Sequence, residues 1–204
     1  MVSFAGLERS ALHGLTPPGH YGCVGTTGLT IEERTDLALA SVTAKRGKRF
    51  MLVNAVNTAF GVALPDGPRR ATRGAVTFAG TGPDQWIASA EGSEAAGFAA
   101  KVRARIAPFA AVSDQSDARL VLQLSGPRVR DVLAKGLAID LHPKAFKPGD
   151  VANTLIAYVG VQIDMLDDAT WQLTAPRSMA GTFWSWLSAS AAEFGYDVVT
   201  IGDA

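Results

Sequence analysis

His20 and Cys23 stand three residues apart in a glycine-rich stretch, residues 13–28, and are the first pair along the chain whose chemistry could serve a site. As metal ligands they would need one or two more donors, because protein zinc is held by three or four side chains. His13 and His142 are the remaining imidazoles and Cys23 is the single thiol, so the pair reads as loop. As a nucleophile Cys23 would need an adjacent base and an electropositive setting, which only His20 could supply. Gly22, Gly25 and Gly28 have the wrong spacing for a dinucleotide fingerprint, and Pro17 and Pro18 forbid a strand ahead of them. No Gly-x-x-x-x-Gly-Lys-Ser/Thr phosphate loop occurs. Ser125-Gly-Pro127 opens a helix and could hold an anion on free N–H groups, although capping explains it more simply. Glu32 and Glu33 are neighbours on a strand and point to opposite faces, and Asp167-Asp168 has the composition of a turn. The expectation is a chain without catalytic, cofactor-binding or metal-ligating residues of its own.

Aromatic placement is more informative. Of the four tryptophans, Trp86, Trp171, Trp184 and Trp186, two fall in one short helix. An apolar stripe of Met179, Phe183, Trp186, Leu187, Ser190 and Phe194 leaves Trp184 about 160° away at ~100° per residue. With Arg177 and Ser178 just upstream, Trp184 has the chemistry of an interface anchor, since tryptophan and arginine dominate hot spots. A helix enclosed within its own domain would account for the same pattern, and both readings stand.

These residues must be positioned by short elements of both kinds. Alternation predicts strands over 29–34, 37–44, 72–79, 85–90, 109–114, 119–124, 151–159, 161–166 and 171–175. Helical spacing predicts helices over 48–61, with Phe50 or Met51 inward, over 94–107, from Ser125-Gly-Pro127 to Gly136, and over 179–194 with Ser178 as cap. Residues 1–28 read as an irregular leader. The fold class is α+β, with antiparallel sheets and helices packed on them. Strand pairs followed by helices recur, and Gly82-Pro83 and Gly126-Pro127 repeat one turn, a pattern compatible with degenerate duplication into halves of about 27–108 and 109–204.

Composition bounds the partners. Nineteen basic residues balance nineteen acidic ones in 204 residues, so no net field draws nucleic acid or an anionic membrane. One cysteine fits a reducing compartment, the first residues lack a secretory pattern, and charges interrupt every apolar run, which together predict a cytoplasmic protein. Only 19% of residues are charged, which fits a surface partly covered by a partner.

Three segments carry a family resemblance: Leu124-Ser-Gly-Pro-Arg-Val-Arg-Asp-Val-Leu-Ala-Lys-Gly136; Ile139-Asp-Leu-His-Pro143 with Phe146-Lys-Pro-Gly-Asp-Val151; and Pro176-Arg-Ser178 leading to Phe183-Trp-Ser-Trp-Leu187. Together they resemble the gamma subunit of heterotetrameric sarcosine oxidase, strongly over 118–195 and diffusely before it. The resemblance implies a single gamma-like domain with the folate-binding-domain fold of the glycine-cleavage T-protein group. It implies a complex with alpha, beta and delta subunits that oxidises the N-methyl group of sarcosine, yielding glycine and hydrogen peroxide, with tetrahydrofolate accepting the one-carbon unit. FAD, FMN, NAD and zinc would belong to the other subunits, and this chain would be a non-catalytic member contacting alpha. A stand-alone folate-binding or aminomethyl-carrier protein, or the equivalent subunit of a related N-methylamine oxidase, is the alternative.

Overall fold

A computed structural model describes residues 10–25 and 27–199. In chain order the elements are β1 (Gly19–Tyr21), β2 (Leu29–Glu33), β3 (Ala38–Ala44), α1 (Arg49–Phe60), β4 (Arg70–Arg73), β5 (Val76–Gly82), β6 (Gln85–Ala90), α2 (Phe98–Ile106), β7 (Ala110–Asp114), β8 (Arg119–Ser125), α3 (Val129–Ala134), β9 (Val151–Ile156), β10 (Val159–Met165), β11 (Thr170–Pro176), α4 (Ala180–Ala191) and β12 (Tyr196–Val199). They build two sheets: a seven-stranded one ordered β1-β12-β2-β8-β11-β10-β9, and a five-stranded one ordered β4-β5-β6-β3-β7. Every pairing is antiparallel except β12 with β2. The predicted α+β class of antiparallel sheets carrying helices is the class observed.

Each sheet has its own apolar core on its helix-covered face. In the larger sheet Leu29, Ile31, Leu122, Leu124, Ile163, Trp171 and Leu173 pack with Val132 and Leu133 of α3 and Phe183 and Leu187 of α4. In the smaller, Val42, Phe78, Trp86 and Ala88 pack with Leu52 and Val56 of α1 and Phe98, Val102 and Ile106 of α2. The opposite faces of the two sheets meet in the middle of the molecule, giving four layers in the order helix, sheet, sheet, helix. Alternation explains the arrangement: along β10, Val159, Val161, Ile163 and Met165 face the helices, and the intervening Gln162 and Asp164 are also buried. Those polar side chains therefore face the other sheet.

The two sheets do not divide the chain at residue 108. Leu29–Glu33 joins the C-terminal strands, and Ala110–Asp114 joins the smaller sheet. Four further local departures have physical causes. The strand expected over 72–79 is a hairpin, because Gly74 adopts φ +57° and reverses the chain. Left-handed Gly97 delays the second helix to Phe98. Ser125 ends β8 rather than capping a helix, and α3 starts at Val129 after Pro127. Phe50 and Met51 are exposed, 78% and 47%, because the inward line of α1 runs through Leu52 and Val56. The leader, read as irregular, contains β1, and β12 follows α4 where no strand was expected; part of residues 1–28 lies outside the described residues. Among the described residues no helix is long and apolar enough to cross a membrane.

The closing helix also rotates relative to the expected stripe. Its buried line is Ala180, Phe183, Trp184, Leu187, Ser190 and Ala191, because the two alanines let that line sit close to the sheet. Trp184 is only 6% exposed and packs edge-on against Tyr196 of β12, whose ring in turn stacks on Tyr21 of β1. Trp186 is the flanking residue, half-buried against Phe183 and over Gly136, where a Cβ would come 2.5 Å from the indole. Trp184→Ala should therefore lower the stability of the isolated chain by about 3–5 kcal/mol in urea unfolding, with Trp186→Ala costing less. Equal stability of Trp184→Ala and the parent chain would contradict this placement.

Candidate functional site

Two cavities open between the sheets, and both are lined by Arg34. The larger, of about 800 Å³, is bounded by Asp36, Leu39, Ser116, Arg119 and Arg177 among others; the smaller, of about 180 Å³, by Arg70, Thr77, Glu91, Leu166 and Gln172. Arg34 lies just past the end of β2, where the chain crosses from the larger sheet into the smaller. Its Nε and Nη2 donate to both oxygens of Asp36 at 2.8 Å, Nη2 also donates to Glu91 Oε2 at 2.7 Å, and Nη1 donates to Gln123 Oε1 at 2.9 Å. Glu91 follows β6 of the smaller sheet and Gln123 belongs to β8 of the larger, so one guanidinium joins the two layers. Its side chain is 16% exposed, which makes these charge-assisted bonds stronger than surface pairs. Bonding to Asp36 and Glu91 holds the Arg34 cation well above the usual guanidinium range, and Arg34 in turn holds the Asp36 carboxyl below its ordinary value.

The rest of the middle layer is polar and largely satisfied. Asp164, 2% exposed, accepts from Gln162 Nε2 at 2.7 Å, and Thr72 and Thr77 hydroxyls share a 2.8 Å bond. Arg70 is the exception. Its Nη2 reaches Thr77 Oγ1 at a long 3.4 Å, and its Nη1 is buried without a hydrogen-bond partner among the described residues. Desolvation lowers the Arg70 pKa against the opposing pull of Asp164 and Glu91. A buried unpaired donor costs free energy unless a water or another polar group meets it, so the smaller cavity is suited to hold one. Burial pushes the Asp164 carboxyl up to about 6, with Gln162 and Arg70 pulling the other way.

The residues singled out from sequence are not brought together. Arg177 lines the larger cleft and is half-buried; Ser178 is exposed in a 3-10 turn over Arg177–Met179 and caps nothing through its side chain; Trp184 points into its own core. The exposed indole on which the anchor reading of Trp184 depends is absent, because Tyr196 supplies its cover. His20 is committed elsewhere: Nδ1 lies 2.6 Å from Asp197 Oδ1 and Nε2 lies 3.0 Å from the Cys23 carbonyl oxygen. With an acceptor at each ring nitrogen the imidazolium is favoured and its pKa rises. Gly22 and Gly28 serve close backbone approach within the protein, since a Cβ there would come 2.3 Å from Ala192 O and 2.7 Å from Phe194 O. Their space is filled by chain rather than left for a phosphate. Among the described residues no three His, Cys, Asp or Glu side chains converge to hold a metal.

Sequence reasoning missed Arg34, Arg70, Glu91, Gln162, Asp164 and Gln172. The available signal was Gln162-Ile-Asp164 inside an otherwise apolar strand, which puts polar groups on a single face.

The sequence model of the sarcosine oxidase gamma subunit family matches residues 48–193. The chain belongs to that family. It is 34% identical over 119 residues to the sarcosine oxidase subunit gamma of Corynebacterium sp. strain P-1, covering 58% of each chain. It is also 34% identical over 114 residues to that of an Arthrobacter species, covering 55% of each. The matches thus span a little over half the length of these relatives. Among solved structures, it superposes on the heterotetrameric sarcosine oxidase of Corynebacterium sp. U-96, in complex with pyrrole 2-carboxylate. The TM-score is 0.74 at 25% identity, over 85% of this chain and 88% of that one. The glycine cleavage system aminomethyltransferase T of Bartonella henselae shares the fold, with TM-score 0.61 at 12% identity, over 86% of this gamma-family chain and 48% of that one.

Asp164 makes a pH prediction. An aspartate titrates near 4 in an unfolded chain and at about 6 here, so the folded state holds the proton more tightly. The resulting stabilisation is full below pH 4 and is lost as pH rises through 6, on the order of 2–3 kcal/mol. Asp164→Asn should flatten the fall in unfolding free energy between pH 4 and pH 7; an unchanged slope would contradict the assignment.

Proposed function

We propose that this chain is the non-catalytic gamma subunit of a heterotetrameric sarcosine oxidase, built as one gamma-like domain with two sheet-based halves. The observation that carries the reading is the superposition over nearly the full length of both chains at TM-score 0.74, joined to the family match. The middle layer supports a scaffolding role: Arg34, which lines both cavities, is engaged by Asp36, Glu91 and Gln123 rather than left open to a substrate.

In this reading the complex oxidatively demethylates sarcosine to glycine with hydrogen peroxide, and tetrahydrofolate takes up the one-carbon unit. FAD, FMN, NAD and zinc are held by the alpha, beta and delta subunits. Alpha is the direct neighbour of this chain, and the assembly is cytoplasmic. The T-type aminomethyltransferase fold raises a second reading, a stand-alone folate-binding protein, on which calorimetry with tetrahydrofolate decides.

Co-expression with alpha-, beta- and delta-type subunits should return this chain in a stoichiometric complex that consumes sarcosine. The chain purified alone should show no flavin absorbance and no turnover. Turnover by the lone chain would overturn the subunit reading, and micromolar tetrahydrofolate binding to it would favour the carrier.

A further inference from the structure

Arg70 and Gln172 line one small cavity between the sheets, and neither is satisfied within the protein. Arg70 stands on β4 of the smaller sheet and Gln172 on β11 of the larger, and the cavity they share has a volume of about 180 Å³. Arg70 Nη1 is buried without a partner, and Nη2 has only the 3.4 Å bond to Thr77 Oγ1. Gln172 is 8% exposed, and its side-chain amide makes no hydrogen bond to another described residue. A guanidinium keeps its charge at any working pH, so proton loss cannot relieve its burial. The nearby acids do not neutralise it either. Asp164 and Glu91 attract Arg70 without bonding to it: Asp164 accepts from Gln162 Nε2 at 2.7 Å, and Glu91 Oε2 accepts from Arg34 Nη2 at 2.7 Å. A water could meet the Arg70 N–H but would leave a buried cation without a counter-ion, which is the costlier defect.

The walls select among anions. The charged lining is Arg34, Arg70 and Glu91, two cations against one carboxylate, and Asp36 lies on the larger cavity instead. Two under-used terminal nitrogens on one planar guanidinium match the two oxygens of a carboxylate, a pairing that a spherical ion cannot make. Gln172 adds a donor from the opposite sheet. Leu37 and Leu166 line the same space and offer an apolar surface to a short hydrocarbon tail. The volume falls below the roughly 300–1,000 Å³ of ordinary ligand pockets, so the guest has only a few heavy atoms.

We propose that this cavity is a seat for a small carboxylate with a short apolar tail, held by Arg70 from one sheet and Gln172 from the other. The seat belongs to this chain and does not depend on the gamma-subunit reading. Its occupant ties β4 to β11, so binding reinforces the same contact between the sheets that Arg34 holds.

The test is calorimetric titration of acetate into the full chain in chloride-free buffer at pH 5.5, below the value of about 6 at which Asp164 titrates. The parent chain, Arg70→Met and Gln172→Leu are compared, and the melting temperature of each is measured with and without acetate. The parent should bind one acetate with a Kd on the order of 1 mM, within reach of a ligand this small, and acetate should raise its melting temperature. Arg70→Met should weaken binding by roughly tenfold or more, and Gln172→Leu by about threefold or more. Without acetate Arg70→Met should melt at or above the parent, because it removes an unpaired buried charge, so its lost binding is not lost folding. Absence of binding to the parent at acetate up to roughly 100 mM overturns the seat and leaves the cavity to water. Unchanged binding in either variant overturns it as well. Chloride bound as tightly as acetate, and lost in Arg70→Met, overturns the carboxylate class in favour of a halide.

Discussion

Arg34 holds together two sheets that otherwise have no common core. The apolar clusters of the larger and smaller sheets are separate, each closed by its own pair of helices. Where the sheets face each other, the surfaces are largely amide, hydroxyl and charge rather than hydrocarbon, so hydrophobic burial cannot by itself fix their relation. A guanidinium can, because its fork of donors has fixed geometry and reaches acceptors from both layers at once. The chain crosses between the sheets at this residue, so the tie lies where relative motion would begin. Peripheral bonds assist it: Arg69 pairs with Asp150, Arg70 N donates to Gly149 O, and Val151 N donates to Pro68 O.

A polar middle layer has consequences for how the molecule works. Buried polar groups specify one arrangement of the sheets more sharply than they stabilise it, since each unmet donor or acceptor is costly and sliding by one residue would unpair several. Arg70 shows the cost directly, with one buried nitrogen unpaired. Such a layer suits a subunit whose task is to present surfaces in fixed relation to neighbours. The same burial that makes the layer polar and dry raises the Asp164 carboxyl, so its protonation bears on the stability of this layer.

Much of the fold is legible in the sequence, and the failures share one cause. Alternation located β2, β3, β6, β7, β8, β10 and β11 to within a residue or two, because one face of each is regularly apolar. β1 and β12 escaped because they are short and take their meaning from each other, β1 forming the sheet's edge on β12: Tyr21 stacks on Tyr196, a contact between residues far apart in the chain. That omission misdirected Trp184, which looked unpartnered on a helix wheel and is in fact roofed by the unseen strand. The candidate site was hidden for a related reason. Arg34, Glu91 and Gln123 come from three distant segments, and nothing local distinguishes them from solvated surface residues. Family segments such as Leu124–Gly136 were readable without geometry, and they led to the right assignment.

The central claim, that Arg34 couples the two layers, is tested most directly by equilibrium urea unfolding of Arg34→Met followed with two probes. Trp86 reports the smaller sheet, and a Trp86→Phe background isolates the tryptophans of the larger. In the parent chain the two transitions should coincide. In Arg34→Met they should separate, with about 3 kcal/mol lost from the coupled state because Asp36 and Glu91 are left unpaired. Coincident transitions in Arg34→Met, with less than about 0.5 kcal/mol lost, would show that the sheets are held together without it and would contradict the account.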